Sequence, residues 1–276
     1  MYTLNCKGKI LNLQTPQVMG ILNLTDDSFY EGYLHESKDQ LIERAGSMIR
    51  AGAAILDIGG QSTRPKSTRI SAEDEAQRVL PAIQIILQHF PDTIISIDTY
   101  YSEVATKAVD AGAAIINDIS GGDMDPQMIS TAGTLSVPYI CMHMQGRPET
   151  MQINPTYEDV TREVLEFFIQ KKQACRKAGI KDLVIDPGFG FGKTTQHNFS
   201  LLKNLAAFKI LDLPVLAGLS RKSTISKTLN ITAAEALNGT TVLNTIAILN
   251  GASILRVHDV REAIEVVKLV EAYKTN

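Results

Sequence analysis

Three nine-residue stretches of the chain follow one plan. They are Ala51-Gly52-Ala53-Ala54-Ile55-Leu56-Asp57-Ile58-Gly59, Ala111-Gly112-Ala113-Ala114-Ile115-Ile116-Asn117-Asp118-Ile119 and Asn250-Gly251-Ala252-Ser253-Ile254-Leu255-Arg256-Val257-His258. In each, a helical pattern runs out to a glycine suited to the position after the last turn, a small-residue joint follows, and a short apolar strand ends in polar residues. The first two copies start 60 residues apart, and the third starts 139 after the second. Taken as two and four repeats of one strand-helix unit, these spacings give a unit of roughly 30 to 35 residues, the size of a βα repeat. Eight such units fill the 276 residues. The expected fold is α/β, a (β/α)₈ TIM barrel.

The remaining units fall between these anchors. Gln17 to Leu24 is a mostly apolar run that predicts a buried first strand with Asn23 at its end. Further strands are expected at Thr93–Ile97 before Asp98, Val137–Met142 before His143, from Leu183 to Asp186, and at Pro214–Leu219 before Ser220-Arg221-Lys222. Amphipathic spacing predicts helices over Ala72–Gln88, Tyr157–Ala178 and Asp259–Tyr273. Asp125-Pro126 has the form of an N-cap with proline in the first turn, and Thr232 to Glu235 has capping-box spacing. Weak alternation around Lys7-Gly8-Lys9 predicts a short N-terminal hairpin over Tyr2–Leu13. No composition break or linker divides the chain, so residues 1–276 are read as one domain.

Composition excludes several classes of partner. A net charge of −3 and a pI near 6.0, with no run of like charges, leave no footprint for nucleic acid or anionic lipid. Cys6, Cys141 and Cys175 are widely separated, which supports neither a disulfide framework nor a cysteine metal site. Polar residues interrupt the first twenty positions, and no apolar run reaches spanning length. A cytoplasmic protein without membrane contact is expected.

In a barrel of this kind the site is built at the C-terminal ends of several strands. The polar residues there are Asn23, Asp57, Asp98, Asn117, His143, Asp186, Lys222, Arg256 and His258. A polar residue leaving a strand often only caps a helix or ties down a loop, but convergence of all nine on one rim points to a site. Asp98, Asn117 and Asp186 offer acceptors and donors without metal-like spacing, which suits the amino-pyrimidine edge of a flat heterocycle. Lys222 supplies the opposite charge. Arg256 and His258, two apart on one strand, point to the same side and suit a phosphate or diphosphate; the alternative for Arg256 is a structural pairing with an aspartate.

The stretch LVIDPGFGFGKT, Leu183 to Thr194, stops a strand at Asp186-Pro187 and places Gly188, Gly190 and Gly192 around Phe189 and Phe191 after it. It has neither the dinucleotide spacing nor the Walker arrangement, so both phosphate-loop readings are rejected. Two loops, Asn23 to Phe29 and Gly59 to Pro65, are rich in small and hydroxyl residues, as movable loops over a site tend to be.

Together NLTDDSF (23–29), GGQSTRP (59–65), ID (97–98), ND (117–118), HMQG (143–146), DPGFGFGK (186–193), LSRKS (219–223) and RVHD (256–259) closely resemble the dihydropteroate synthase family of pterin-binding enzymes. The match spans nearly the whole chain, in order. The resemblance implies a transferase of folate biosynthesis, the sulfonamide target. It joins 6-hydroxymethyl-7,8-dihydropterin diphosphate to p-aminobenzoate by early loss of the diphosphate. It further implies that Asp98, Asn117, Asp186 and Lys222 hold the pterin, that Asn23, Thr63, Arg256 and His258 meet the diphosphate, and that Asn23 ligates Mg²⁺. Phe29, Pro65, Phe191, Ser220 and Lys222 would frame p-aminobenzoate, with Arg64, Met142 and Gly218 completing the substrate site. Lys222, Asp98, Arg256 and His258 are the residues it marks as catalytic. The family is commonly dimeric, and the apolar Thr241–Leu249 segment is either an interface or core.

Four departures from the family pattern fall in the two loops: Asp26 for proline, Glu31-Gly32-Tyr33 for Asp-Gly-Gly, Gln61 for glutamate and Lys66 for glycine. They bear on loop closure and sulfonamide sensitivity. The competing readings are a pterin-binding methyltransferase on the same barrel, which needs no diphosphate cluster, and a non-catalytic pterin-binding homologue, which would lack a loop residue or Lys222.

Overall fold

The computed structural model describes residues 2–24, 38–61 and 69–275, with the backbone alone at 29–30 and 33–34. The chain order is β1 (Thr3–Cys6), β2 (Lys9–Asn12), β3 (Gln17–Asn23), β4 (Phe29–Tyr30), β5 (Tyr33–Leu34), α1 (Lys38–Arg50), β6 (Ile55–Gly59), α2 (Ala72–His89), β7 (Ile94–Asp98), α3 (Ser102–Asp110), β8 (Ile115–Asp118) and α4 (Met128–Leu135). It continues with β9 (Tyr139–Met142), α5 (Val160–Lys177), β10 (Leu183–Asp186), α6 (Thr195–Lys203), a 3₁₀ turn (Leu205–Leu211), β11 (Leu216–Ala217), α7 (Ser223–Leu229), α8 (Leu237–Leu249), β12 (Ile254–Val257) and α9 (Val260–Thr275).

Eight parallel strands pair in the order β10-β9-β8-β7-β6-β3-β12-β11. A parallel bridge from Ile185 to Val215 joins the two ends and closes the (β/α)₈ barrel. The strands are buried on both faces, which is why they are continuous apolar runs in the sequence. The three repeated stretches are the joints into β6, β8 and β12, the second, fourth and eighth barrel strands. Gly52, Gly112 and Gly251 at those joints all take positive φ, 104°, 116° and 104°, where a side chain would be strained.

One apolar residue from each strand forms a floor near the strand starts: Met19, Ile55, Ile94, Ile115, Ile140, Val184, Leu216 and Ile254. Leu4, Cys6, Leu11 and Leu13 of the β1–β2 hairpin pack under that floor and plug the N-terminal end of the barrel. Lys7 Nζ and Lys9 Nζ pin the hairpin to the carbonyls of Val109 and Pro91, each at 2.7 Å. The three cysteines are buried and unpaired. Among the described residues no helix is long and apolar enough to cross a membrane.

Local signals shift some boundaries. The helix expected from Tyr157 starts at Val160, because Asp159 accepts from the N–H groups of Thr161 and Arg162. Asp125 Oδ1 accepts from Gln127 N–H at 2.9 Å, the bond of an N-cap, just ahead of α4. Its Oδ2 takes Ser102 N–H at 2.7 Å, at the start of α3, and α4 begins only at Met128. Glu235 Oε2 accepts from both Thr232 N and Thr232 Oγ1, so this pair closes a turn ahead of α8 instead of starting the helix. A full capping box lies at Thr194, with His197 as its second member.

Candidate active site

Side chains alternate along a strand, so the residue two beyond each floor position faces the barrel mouth. Those residues are Ile21, Asp57, Ser96, Asn117, Met142, Asp186, Gly218 and Arg256. One step further come Asn23, Gly59, Asp98, Ser220 and His258. The mouth is therefore polar directly above an apolar floor.

Asp57 Oδ2 accepts from Arg256 Nε at 2.6 Å and from Asn117 Nδ2 at 3.0 Å, and Asp98 Oδ2 accepts from Arg256 Nη2 at 2.6 Å. Asp57 Oδ1 is buried and has no hydrogen-bond partner among the described residues, leaving an acceptor for a ligand donor. The guanidinium thus stands in the structural pairing with aspartate, doubled. Removing it would leave two buried carboxylates facing each other.

Burial pushes Asp98 up to about 7, although Arg256 works against the shift. Burial also raises Asp186, whose Oδ1 takes Gly188 N–H at 2.8 Å, against the pull of Lys222. Lys222 is brought down to about 8 by burial, opposed by Asp186. Burial opposes the charge of Arg256 too, but Asp57 and Asp98 hold it above the ordinary arginine range. These groups influence one another across the same mouth.

An apolar wall stands beside the polar set. Tyr100, Ile119 and Met142 are buried together, with Tyr101, Met124, Met144 and Phe191 packed against them. Lys222 Nζ lies 4.7 Å from the centre of the Phe191 ring and donates to Phe189 O. A Cβ on Gly218 would come within 3.7 Å of that ammonium. Gly218 keeps this corner open.

The polar groups of the loop after β10 are taken up within the protein. Gly188 N–H goes to Asp186, Gly190 N–H to Asn198 Oδ1 at 2.8 Å, and Phe191 N–H to Gly188 O. Gly190 O accepts from Gln152 Nε2 at 2.5 Å, and Gly192 O from Tyr157 OH at 2.9 Å. Three amides that an anion would need are occupied, which agrees with rejecting a phosphate loop here.

At the rim, His258 is exposed, its backbone N–H donates to Ser220 Oγ at 3.2 Å, and its Nδ1 is 3.2 Å from the same oxygen. Arg221 holds Asp259 with two bonds of 2.9 and 2.7 Å and so ties the β11 and β12 ends together. Asn23 is exposed at the end of β3, and its carbonyl accepts from Arg44 Nη2 at 3.0 Å. His143 faces inward: its Nδ1 accepts from the buried Lys193, and burial with that neighbouring cation lowers it to about 2. It is a neutral structural imidazole. Gln61 Oε1 accepts from Tyr100 OH and Ile70 N.

The matching family model, "Pterin binding enzyme", spans residues 19–258. Dihydropteroate synthase of Escherichia coli is 46% identical over 268 residues, covering 96% of this chain and 94% of the relative. The chain belongs to the dihydropteroate synthase family. Among solved structures, dihydropteroate synthase of Yersinia pestis with a sulfonamide drug complex matches with a TM-score of 0.94 at 41% identity, covering 100% of both chains. Dihydropteroate synthase of Xanthomonas albilineans with 4-aminobenzoic acid matches at 0.91 and 38%, covering 99% and 98%. As a member of that family the chain is a transferase.

Of the synthase residues expected from sequence, Asp98, Asn117, Met142, Asp186, Phe191, Gly218, Ser220, Lys222, Arg256 and His258 gather at the mouth, with Asn23 at its edge. Thr63, Arg64 and Pro65 lie outside the described residues, as do the Phe29 side chain and the departures at Asp26, Glu31, Gly32 and Lys66. Two groups carry more than the sequence suggests. Asp57, a rim residue with no role implied by its position alone, is the main partner of Arg256. Lys193, which closes the motif DPGFGFGK, is almost wholly buried. Nothing in a lysine beside glycines signals burial.

Proposed function

We propose that the chain condenses 6-hydroxymethyl-7,8-dihydropterin diphosphate with p-aminobenzoate, giving 7,8-dihydropteroate and pyrophosphate. The observation that carries this reading is the mouth network itself. Buried acceptors on Asp57, Asp98 and Asp186, the Asn117 amide and two cations stand together at the mouth, beside the apolar wall of Met142 and Phe191. Such a set recognises a flat heterocycle with a donor edge and sits beside a leaving anion.

Asp186 accepts from the amino-pyrimidine edge, Asn117 and Asp98 fix the other positions of the ring, and Met142 covers its face. Asn23, Thr63, Arg256 and His258 meet the diphosphate. The C–O bond to the diphosphate breaks ahead of attack, an SN1-like course in which its electron pair leaves with the pyrophosphate and the pterin ring stabilises the methylene cation. Phe29, Pro65, Phe191, Ser220 and Lys222 frame p-aminobenzoate, with Arg64 beside it, and the arylamine nitrogen forms the new C–N bond and releases its proton to solvent. No strong base is required.

Among the described residues no three histidine, cysteine or acidic side chains gather as a metal set. A lone amide oxygen on Asn23 suits Mg²⁺, which keeps waters and substrate phosphates as its other ligands. Asn23 would hold it there with the substrate, and the ion would supply charge neutralisation at the leaving group. The reading is tested by measuring pyrophosphate release with Mg²⁺. Release only when both substrates are present supports it; release from pterin diphosphate alone, or none, rejects it.

The active unit is inferred to be a cytoplasmic homodimer of one-domain subunits. Val242, Ile246 and Leu249 are exposed on one face of α8, at the spacing of a helix stripe that a second subunit would cover. Ile246→Asp is expected to sediment as a monomer under conditions where the parent is a dimer. An unchanged sedimentation coefficient would move the interface elsewhere.

A further inference from the structure

Lys193 is buried, and among the described residues no carboxylate pairs with it. Its ammonium donates to His143 Nδ1 at 2.9 Å, to Gly188 O at 3.0 Å and to Phe191 O at 3.0 Å, which uses its three N–H groups. Burial holds His143 in the neutral form and brings Lys193 down to about 7; with Lys193 protonated, the tautomer that carries its hydrogen on Nε2 accepts at Nδ1. The remaining loop carbonyls, of Phe189, Gly190 and Gly192, go to Lys222, Gln152 and Tyr157. Every carbonyl from 188 to 192 is thereby held by a side chain from another position. The loop also lies directly on the segment after β9: a Cβ at Gly188 would fall 1.9 Å from His143 O, and one at Gly192 2.4 Å from Gln145 O. Such contact admits only glycine, at φ 70° and 60°.

We propose that Lys193 is a positioning residue for p-aminobenzoate: by gathering Gly188 O, Phe191 O and His143 Nδ1 around one ammonium, it fixes the loop so that the Phe191 ring faces Lys222. It touches no substrate. Asp186 stands at the end of β10, where the strand sets its position; it takes one bond from the loop, Gly188 N–H, and Lys193 is a nearby cation, so the pterin edge should respond less than the p-aminobenzoate side. The inference rests on the reaction proposed above.

Lys193→Met keeps most of the side-chain length and removes all three donors. With the parent enzyme turning over both substrates, the variant is expected to raise KM for p-aminobenzoate about tenfold or more. The calorimetric Kd for pterin diphosphate should stay within about threefold. Equal losses for both ligands, or no loss, overturn the assignment. If circular dichroism shows that this variant does not fold, the same contrast is read at His143. His143→Asn places an amide oxygen near the Nδ1 position and should keep KM for p-aminobenzoate within about twofold, whereas His143→Leu should raise it about fivefold. Two His143 variants that behave alike contradict the proposal. Failure of the parent to form product counts against the reaction, while an active parent with an unaffected Lys193→Met counts against Lys193 alone.

Discussion

Asp186→Ala is expected to abolish pterin binding while the barrel still folds. The carboxylate is buried at the end of β10, and its proposed partners are two donors on the pterin edge. Losing charge-assisted bonds to a buried group costs about 3 kcal/mol or more, roughly a hundredfold or greater in Kd. Stability behaves differently. Burial raises the pKa of Asp186, so above its unfolded-state pKa the ionised form opposes folding, and removing it relieves that penalty. The loss is the acceptor for Gly188 N–H, worth about 1 kcal/mol. Asp186→Asn keeps an acceptor oxygen for that N–H and lacks the charge, so it should unfold close to the parent temperature and still fail to bind pterin. Calorimetric titration with pterin diphosphate, beside thermal unfolding, checks both; normal pterin binding by either variant would sink the role given to Asp186.

Lys222→Met is expected to lower kcat/KM by about a thousandfold and to change its pH dependence. The ammonium faces Phe191, donates to Phe189 O and is coupled to Asp186, so it borders both proposed substrates. Burial lowers its pKa to about 8, which means that the charge is present below that pH and lost as the pH rises through it. The parent kcat/KM should therefore fall on the alkaline side with an apparent pKa near 8, reporting the free enzyme. Residual activity of Lys222→Met should lack that limb, and Lys222→Arg, if active, should carry it far above the range. An alkaline limb that persists in Lys222→Met would assign the titration to another group.

The fold was legible because the repeated joints at Gly52, Gly112 and Gly251 mark the second, fourth and eighth strands, and their spacing admits eight units. The inward positions were legible for a similar reason: an apolar residue with a polar one two places later, as in Ile55-Leu56-Asp57 or Ile254-Leu255-Arg256, records the step from barrel floor to mouth. What sequence could not supply was pairing. Arg256 meets partners 199 and 158 residues away, and only closure of the barrel brings Asp57 and Asp98 to it. An arginine two places before a histidine at a strand end reads as an anion site; in the fold that arginine also pairs with two carboxylates. Lys193 was hidden because lysines are read as surface residues, and its acceptors are main-chain carbonyls that no residue type reveals. Thr232 and Glu235 had the right spacing for a helix start, yet their bond closes a turn ahead of the helix. Their spacing identifies the bonded pair without fixing whether the next residues are helical.

The placement of both substrates at this mouth is tested most directly by a crystal structure of the protein soaked with pterin diphosphate and a sulfonamide. The expected result has the amino-pyrimidine edge within hydrogen-bond distance of Asp186 and Asn117, the diphosphate beside Asn23 and His258, and the sulfonamide ring between Phe191 and Lys222. A pterin bound away from Asp186, or a diphosphate lying on the glycine loop at residues 188–192, would contradict it.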